Sequence, residues 1–247
     1  MLLNAIDFET TGTDTANDRI IEIGSVLWDT ETSKPVHIIS EFVQLPTGNT
    51  VPSEITELTG IRQSDLVQFG LPIEMALFRL STHIKAADYV VAHNNSFERE
   101  ILAAEVARLP HVAAWFVMPT KWLDTQYDLD YSPAKSQVLK YMAAEHGFIL
   151  HYAHRAVFDA LASVQIASQH DLARAIAMAE QPFVLLQASI PYAERFVHNE
   201  ALKRRRFFWH KETHSWYKKV KLCQVDLERE YLKGVNVVVA DDPGKVR

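Results

Sequence analysis

The period of the hydrophobic pattern changes along the first hundred residues, and this change most constrains the fold. Three strand-like stretches, Met1–Glu9, Arg19–Trp28 and Val36–Leu45, follow one another with short polar turns between them. Strands joined by such short turns predict an antiparallel meander. Farther along, Tyr89–Ala92 is an apolar run between polar residues and predicts a buried strand.

Helical spacing of apolar residues recurs between and after these strands. The predicted helices are Ser53–Leu58, Pro72–Ala86, Phe97–Leu109, Lys135–Glu145 and Phe158–Ala179. Gly60 follows the first helix at a position where glycine commonly ends one. Strands in succession, followed by strand and helix in alternation, predict an α/β fold with a mixed sheet flanked by helices.

The size and composition of the chain predict one large domain and a small appendage. The 247 residues are 48% hydrophobic, which is enough to form a substantial core. A long Ala-rich helix ends near Gln181, so we predict a first domain over residues 1–181 and a small α+β module over 182–247. Without a signal-like N-terminus or a membrane-length apolar run, the chain is expected to be cytoplasmic, with no membrane partner. A single cysteine, Cys223, excludes an intramolecular disulfide.

The net charge of −6 conceals two regions of opposite sign. Residues 203–221 contain eight Lys or Arg and one acidic residue, for a charge of +7, whereas the rest of the chain carries −13. Arg204, Arg205 and Arg206 lead into the aromatic run Phe207–Trp209. Cations neutralise phosphates and rings stack on unpaired bases, so this segment predicts nucleic-acid binding. The alternative is that the rings form the core of a small domain.

The first pair of acidic residues is Asp7 and Glu9. Residues two apart on a strand face the same side, so their carboxylates lie together while Ile6 and Phe8 face the core. Adjacent carboxylates repel unless a cation neutralises them, and Mg²⁺ prefers such oxygen ligands. The alternative is an acidic strand face exposed to solvent.

Two further acidic groups lie where helices are predicted to begin. Glu98 falls in the first turn of a helix that follows the strand Tyr89–Ala92. A capping box between Asn95 and Glu98 is the structural alternative to a role in metal binding. His154 and Asp159 can face one site if the histidine lies in the loop and the aspartate in the first helical turn. A histidine suits general-base chemistry near neutral pH.

The order and spacing of Asp7-x-Glu9, Asn94-x-x-Phe97-Glu98 and His154-x-x-x-x-Asp159 resemble the DEDDh 3′→5′ exonuclease family. This family includes the epsilon proofreading subunit of DNA polymerase III, exonuclease X and ribonuclease T. The resemblance covers about residues 1–175. The segments Thr10-Thr11-Gly12 and Glu57–Ile61 support it.

The resemblance implies a ribonuclease H-like fold, two Mg²⁺ or Mn²⁺ ions and hydrolysis of phosphodiester bonds. It assigns Asp7, Glu9, Glu98 and Asp159 to the metal ions and His154 to the proton of the attacking water. Substrate contacts would come from Thr10, Thr11, Gly12 and Phe97. Glu98 departs from the family pattern, which has aspartate there, and this departure puts full activity in question.

We therefore predict an exonuclease that acts on single-stranded DNA 3′ ends and releases nucleoside monophosphates, with a role in DNA replication or repair. A polymerase or repair partner is possible but is not specified by the sequence. The alternatives are an exoribonuclease that trims RNA 3′ ends and a nucleic-acid-binding protein with a decayed nuclease site. Retention of Asp7, Glu9, His154 and Asp159 argues against decay.

Overall fold

A computed structural model describes residues 1–129, 136–191 and 194–241 of the chain. The chain divides into two compact units, Met1–Ile176 and Ala177–Arg247. Within the described ranges, no helix combines the length and apolar character needed to cross a membrane.

The first unit is built on a five-stranded mixed sheet in the order β3-β2-β1-β4-β5. Its strands are β1 (Leu2–Thr10), β2 (Ile20–Asp29), β3 (Lys34–Phe42), β4 (Tyr89–Ala92) and β5 (Trp122–Asp124). The first three form the predicted antiparallel meander, whereas β4 and β5 add in parallel. Ile6 and Phe8 are buried in the main core, as the alternation of side chains on β1 requires.

The helices of this part of the chain cover the sheet. They are α1 (Ser53–Thr59), α2 (Gln63–Phe69), α3 (Ile73–Ala86), α4 (Ser96–Ala107), α5 (Pro110–Ala113), α6 (Leu139–Glu145), α7 (Ala156–Ala167) and α8 (Leu172–Ala179). Helix α1 ends at Gly60, whose φ of 76° is the left-handed conformation that glycine adopts without strain. The mixed sheet flanked by helices confirms the predicted fold class.

Two helix predictions need correction or restriction. The helix predicted over Phe158–Ala179 is two helices, because α7 ends at Ser168 and α8 begins after Asp171. The Asp171 carboxylate accepts the backbone N–H of Arg174 at 3.1 Å, which starts a new helix. The prediction over Lys135–Glu145 is met over Leu139–Glu145, and Lys135 lies outside the described residues.

The second unit contains an antiparallel sheet in the order β7-β8-β6-β9. Its elements are β6 (Phe183–Ser189), α9 (Arg195–Arg204), β7 (Phe208–His210), β8 (Ser215–Lys221), α10 (Val225–Tyr231) and β9 (Asn236–Ala240). One sheet face packs with residues of the two helices around Leu186, Phe207 and Trp216. Two of the conspicuous aromatic residues, Phe207 and Trp216, are therefore core residues, whereas Trp209 remains 45% exposed.

Candidate active site

Three carboxylates converge beside the centre of the first sheet. Asp7 and Glu9 lie on β1, and Asp159 lies in the first turn of α7. One carboxylate oxygen from each residue lies within 4.8 Å of the other two. The fold thus brings the carboxylates of Glu9 and Asp159, which are 150 positions apart in the sequence, into one cluster.

His154 lies in the loop immediately before α7, with a φ of 65°. Its backbone N–H donates to Asp159 Oδ2 at 2.8 Å, and its side chain is exposed. Asp159 is in the first helical turn, so the arrangement has the loop-and-helix form that the sequence pattern requires. The side chain of His154 is available to solvent beside the acidic group.

Close packing of α7 on β2 places Asp159 near β1. Gly24 is the register partner of Asp7 on the adjacent strand. A Cβ added to Gly24 would lie 2.2 to 2.3 Å from backbone atoms of Ala156 and Val157. Only glycine therefore allows the helix to approach the sheet this closely.

A buried ion pair fixes the N-terminus of the same helix. The Glu22 carboxylate accepts hydrogen bonds from the Arg155 guanidinium, the shortest at 2.7 Å, and from the Ala156 backbone N–H at 3.0 Å. Glu22 is 1% exposed and is the register partner of Glu9. The loop that carries His154 is thereby attached to the strand beside the acidic cluster.

Glu98 is buried in the first turn of α4, with its Oε2 atom lacking a hydrogen-bond partner. The alternative capping box is wrong, because Asn95 makes no side-chain cap to the helix. The carboxylate of Asp124 instead accepts the backbone N–H groups of Asn94 and Asn95 at 3.0 and 2.8 Å. Glu98 and Asn95 therefore do not form the reciprocal pair of a capping box.

Burial and mutual repulsion disfavour the charged forms of these carboxyl groups. Burial, together with the charges of Asp159 and Glu22, raises the pKa of Glu9 to about 8. Burial raises the pKa of Glu98 to about 8 against the lowering effect of its own backbone amide. Burial and the charges of Glu98, Asp159 and Glu9 hold the pKa of Asp7 well above its usual range.

The pKa of Asp159 is raised less than the pKa values of Glu9 and Glu98. Burial raises its pKa to about 6, opposed by the hydrogen bond from the His154 backbone. A cluster of oxygen ligands that repel one another in the absence of a cation fits a divalent metal ion. The unpartnered Oε2 of Glu98 and its electrostatic effect on Asp7 fit a contribution from that residue as well.

The residues expected to contact the terminal nucleotide lie at the end of β1 and the start of α4. Thr10 Oγ1 donates to the Gly12 carbonyl, and Thr11 Oγ1 donates to Asp18 Oδ1 at 2.8 Å. Both threonines are largely buried, and a Cβ on Gly12 would meet the Asp18 carboxylate. These contacts order the turn after β1. Phe97 is partly buried and packs against the main core.

The three consecutive arginines of the second unit differ in environment. Arg205 pairs with Glu228 through two hydrogen bonds of 2.7 and 3.0 Å and lies over the Tyr231 ring. Arg204 is exposed, whereas Arg206 is partly buried with a φ of 64°. Arg205 thus contributes to the structure of the unit through its pairing with Glu228.

Four residues of this site are absent from the sequence-based assignment: Glu22, Gly24, Asp124 and Arg155. Glu22 is the one charged residue in the strand segment Ile20–Leu27, which is a signal for a buried charge with a partner. Asp124 follows Trp122 and Leu123 at the end of a three-residue strand too short to be recognised by its pattern. The close approach that requires Gly24 depends on tertiary packing and leaves no local signal.

The fold and the acidic cluster define a class of enzymes that act on nucleic acids with a ribonuclease H-like sheet. The sequence model of the ribonuclease T family, which is described as an exonuclease family, matches residues 5–167. The PolC-type DNA polymerase III of Caldanaerobacter subterraneus is 34% identical over 162 residues, which are 65% of this chain and 11% of the polymerase. The DNA polymerase III epsilon subunit of Treponema pallidum is 29% identical over 163 residues, which are 66% of this chain and 73% of the subunit.

Solved structures share the fold at low sequence identity. Exonuclease I of E. coli in complex with a dA16 oligonucleotide has a TM-score of 0.62 at 13% identity, covering 97% of this chain and 65% of that one. The nuclease domain of 3′hExo, a DEDDh family member bound to rAMP, has a TM-score of 0.54 at 17% identity, covering 68% of this chain and 90% of that one.

The chain belongs to the DEDDh exonuclease family. The predictions of family and fold class are confirmed by these matches, and the matched family is one of exonucleases. The chain spans about a tenth of the length of the PolC-type polymerases that it matches.

Proposed function

We propose that the protein is a metal-dependent 3′→5′ exonuclease that removes nucleoside monophosphates from single-stranded DNA ends in the cytoplasm. The convergence of Asp7, Glu9 and Asp159 within 4.8 Å carries this proposal. The relatives named as DNA polymerase III proteins and the exonuclease I structure with a dA16 oligonucleotide support DNA as the substrate. They also support a replication or repair protein as the class of partner.

The acidic residues would hold two Mg²⁺ or Mn²⁺ ions, with Asp7, Glu9 and Asp159 as ligands and Glu98 as the fourth acidic group. When bound, the ions would supply charge stabilisation for the attacking and leaving oxygens of the phosphodiester. His154 would accept a proton from the attacking water at its side chain, which is exposed beside Asp159. Thr10, Thr11, Gly12 and Phe97 would border the terminal nucleotide.

The second unit would hold the substrate strand, as a nucleic-acid-binding module over residues 182–247. The +7 charge of residues 203–221 supports this proposal. Because Arg205 pairs with Glu228, the contacts would come from exposed cations such as Arg204, Lys211 and Lys219. Arg206 is also proposed as a contact to the substrate strand.

A cleavage assay on labelled strands tests the proposal. We expect wild-type protein with Mg²⁺ or Mn²⁺ to shorten a 5′-labelled DNA strand one nucleotide at a time, and excess chelator to abolish the activity. His154→Ala should lower kcat by about 10²- to 10⁴-fold while binding of DNA in Ca²⁺ is kept. Undiminished cleavage by Asp7→Ala, or in chelator, would refute the metal-dependent mechanism.

The same assay with an RNA strand tests the alternative substrate. We expect kcat/KM to be higher for DNA. A preference for RNA would replace the substrate assignment with RNA 3′-end trimming. Failure to cleave either strand, with the protein folded and the metal bound, would favour a decayed nuclease that binds nucleic acid.

A further inference from the structure

An apolar groove lies on the outer side of α7, the helix that carries Asp159. The segment Phe148–Tyr152 and the α7 stripe formed by Phe158, Leu161 and Gln165 line a cavity of about 150 Å³. Aromatic and aliphatic side chains make up most of the lining, and His151 and Gln165 add polar groups. The groove therefore offers flat apolar walls with hydrogen-bonding groups among them.

The exposed rings of this groove are not required by the core beneath them. Leu150 is buried with Ala143 and Ala162 in a small cluster that anchors the segment to α6 and α7. Tyr152, in contrast, is 62% exposed and Phe158 is 38% exposed. Exposed apolar surface of this kind is characteristic of binding sites.

The two rings lie beside each other in the lining of the groove. The ring centroids of Tyr152 and Phe158 are 5.0 Å apart, with 45° between the planes, and the His151 ring lies 6.3 Å from that of Tyr152. Nucleic-acid bases stack on such rings with little regard to sequence, because every base has a π-face.

The groove is continuous in sequence with the proposed catalytic groups. Tyr152 is two residues before His154, and Phe158 directly precedes Asp159. A strand whose terminal phosphodiester reaches Asp159 must continue over neighbouring surface. The aromatic walls of the groove favour an unpaired base of that strand over other occupants.

We propose that the groove binds one unpaired base of the substrate strand, upstream of the bond that is cleaved, by stacking on Tyr152 and Phe158. This inference rests on the proposed function, because it assumes a single-stranded nucleic acid at the acidic cluster. His151 and Gln165 provide hydrogen-bonding groups for the edge of the base. The groove would contribute to holding the strand without taking part in the chemistry.

The test is the affinity for a single-stranded DNA oligonucleotide in Ca²⁺, combined with abasic sites placed one position at a time from the 3′ end. We expect Tyr152→Ala and Phe158→Ala each to weaken binding about five- to 150-fold. Tyr152→Phe should retain the affinity, since stacking needs the ring and not the hydroxyl. Phe69→Ala, on an exposed ring of α2, is the matched control and should bind like wild type.

The abasic series identifies the base that is bound. At one position, loss of the base should weaken wild-type binding but have little further effect on Tyr152→Ala, because the partner of the base is already missing. Equal abasic penalties in both proteins at every position would overturn the proposal. Unchanged affinity in both alanine variants would also overturn it, leaving a protein partner as the occupant.

A second substrate separates failure of the groove from failure of the proposed function. The p-nitrophenyl ester of thymidine 5′-monophosphate has no upstream base. The ratio of kcat/KM for the oligonucleotide to that for the ester should fall in Tyr152→Ala by the factor seen in binding. An unchanged ratio would overturn the groove alone. Wild-type protein that neither cleaves the ester nor binds the strand would refute the proposed function, and the groove with it.

Discussion

Replacing Gly24 with alanine should separate α7 from the sheet and disable the site without touching an acidic residue. The new Cβ would lie 2.2 Å from the backbone of Ala156, whereas ordinary contact begins near 3.4 Å, so the helix must move by about 1 Å. Backbone cannot rotate away as a side chain can. We therefore expect a loss of about 3 kcal/mol in stability and a fall of about 6 to 12 °C in Tm.

The same movement should reduce activity more than it reduces the folded fraction. A misplacement of about 1 Å in a catalytic group can lower the rate about 100-fold, and both His154 and Asp159 move with the start of α7. The assay is kcat on a labelled DNA strand at a temperature where circular dichroism shows the variant to be folded.

Gly48→Ala is the matched control for the loss of a glycine. A Cβ at Gly48 meets nothing within 4 Å, although its φ of 91° disfavours alanine. This variant should lose about 1 to 2 kcal/mol in stability but keep wild-type kcat. A folded Gly24→Ala protein with kcat within a fewfold of wild type would refute the argument that close packing of α7 positions the site.

Three further predictions concern the acidic cluster and the second unit. Because the pKa of Glu9 is raised to about 8, the metal-free protein should lose stability as the pH rises from about 4.5 through 8, and Mn²⁺ should raise Tm more at pH 8 than at pH 6. A Tm that rises with pH in chelator would contradict this. So would a Tm of Glu9→Gln that falls with pH as much as the Tm of wild type. Glu98→Asp should lower kcat about tenfold or more, since the shorter chain withdraws the carboxylate from Asp7, and a faster enzyme would show that the natural residue limits the rate. Charge reversal at Arg204, Lys211 and Lys219 should raise KM for DNA and flatten its salt dependence, with Lys34→Glu on β3 as the control; an unchanged salt slope would remove these cations from substrate binding.

Local patterns were sufficient to predict the meander, the strand Tyr89–Ala92 and the helices beside it. The reason is that these elements alternate or repeat their apolar residues over several positions, as β1 does with Ile6 and Phe8 in the core. The three-residue strand β5 offers too few positions for a pattern. The break between α7 and α8 was missed although four consecutive polar residues, Ser168–Asp171, lie there, and the cap at Asp171 marks the start of the second helix.

The sequence predicted which residues meet at the candidate site but not the contacts that position them. Ordered motifs identified Asp7, Glu9, Glu98, His154 and Asp159. The capping of α4 was assigned to the wrong partner, since Asp124 comes from a strand 29 residues farther along the chain. Likewise, the pairing of Arg155 with Glu22 joins residues 133 positions apart, and no local pattern encodes it.

The distance in sequence between Asp7 and Asp159 has a consequence for folding during synthesis. Ribosomal synthesis runs from the N-terminus to the C-terminus, so β1 with Asp7 is followed directly by its partner β2, whereas α7 is synthesised more than a hundred residues later. Closing so long a segment of chain is slow compared with forming the meander. The acidic cluster therefore assembles only after most of the first unit has been synthesised, and a nascent chain that lacks α7 lacks one of the three carboxylates of the proposed metal site.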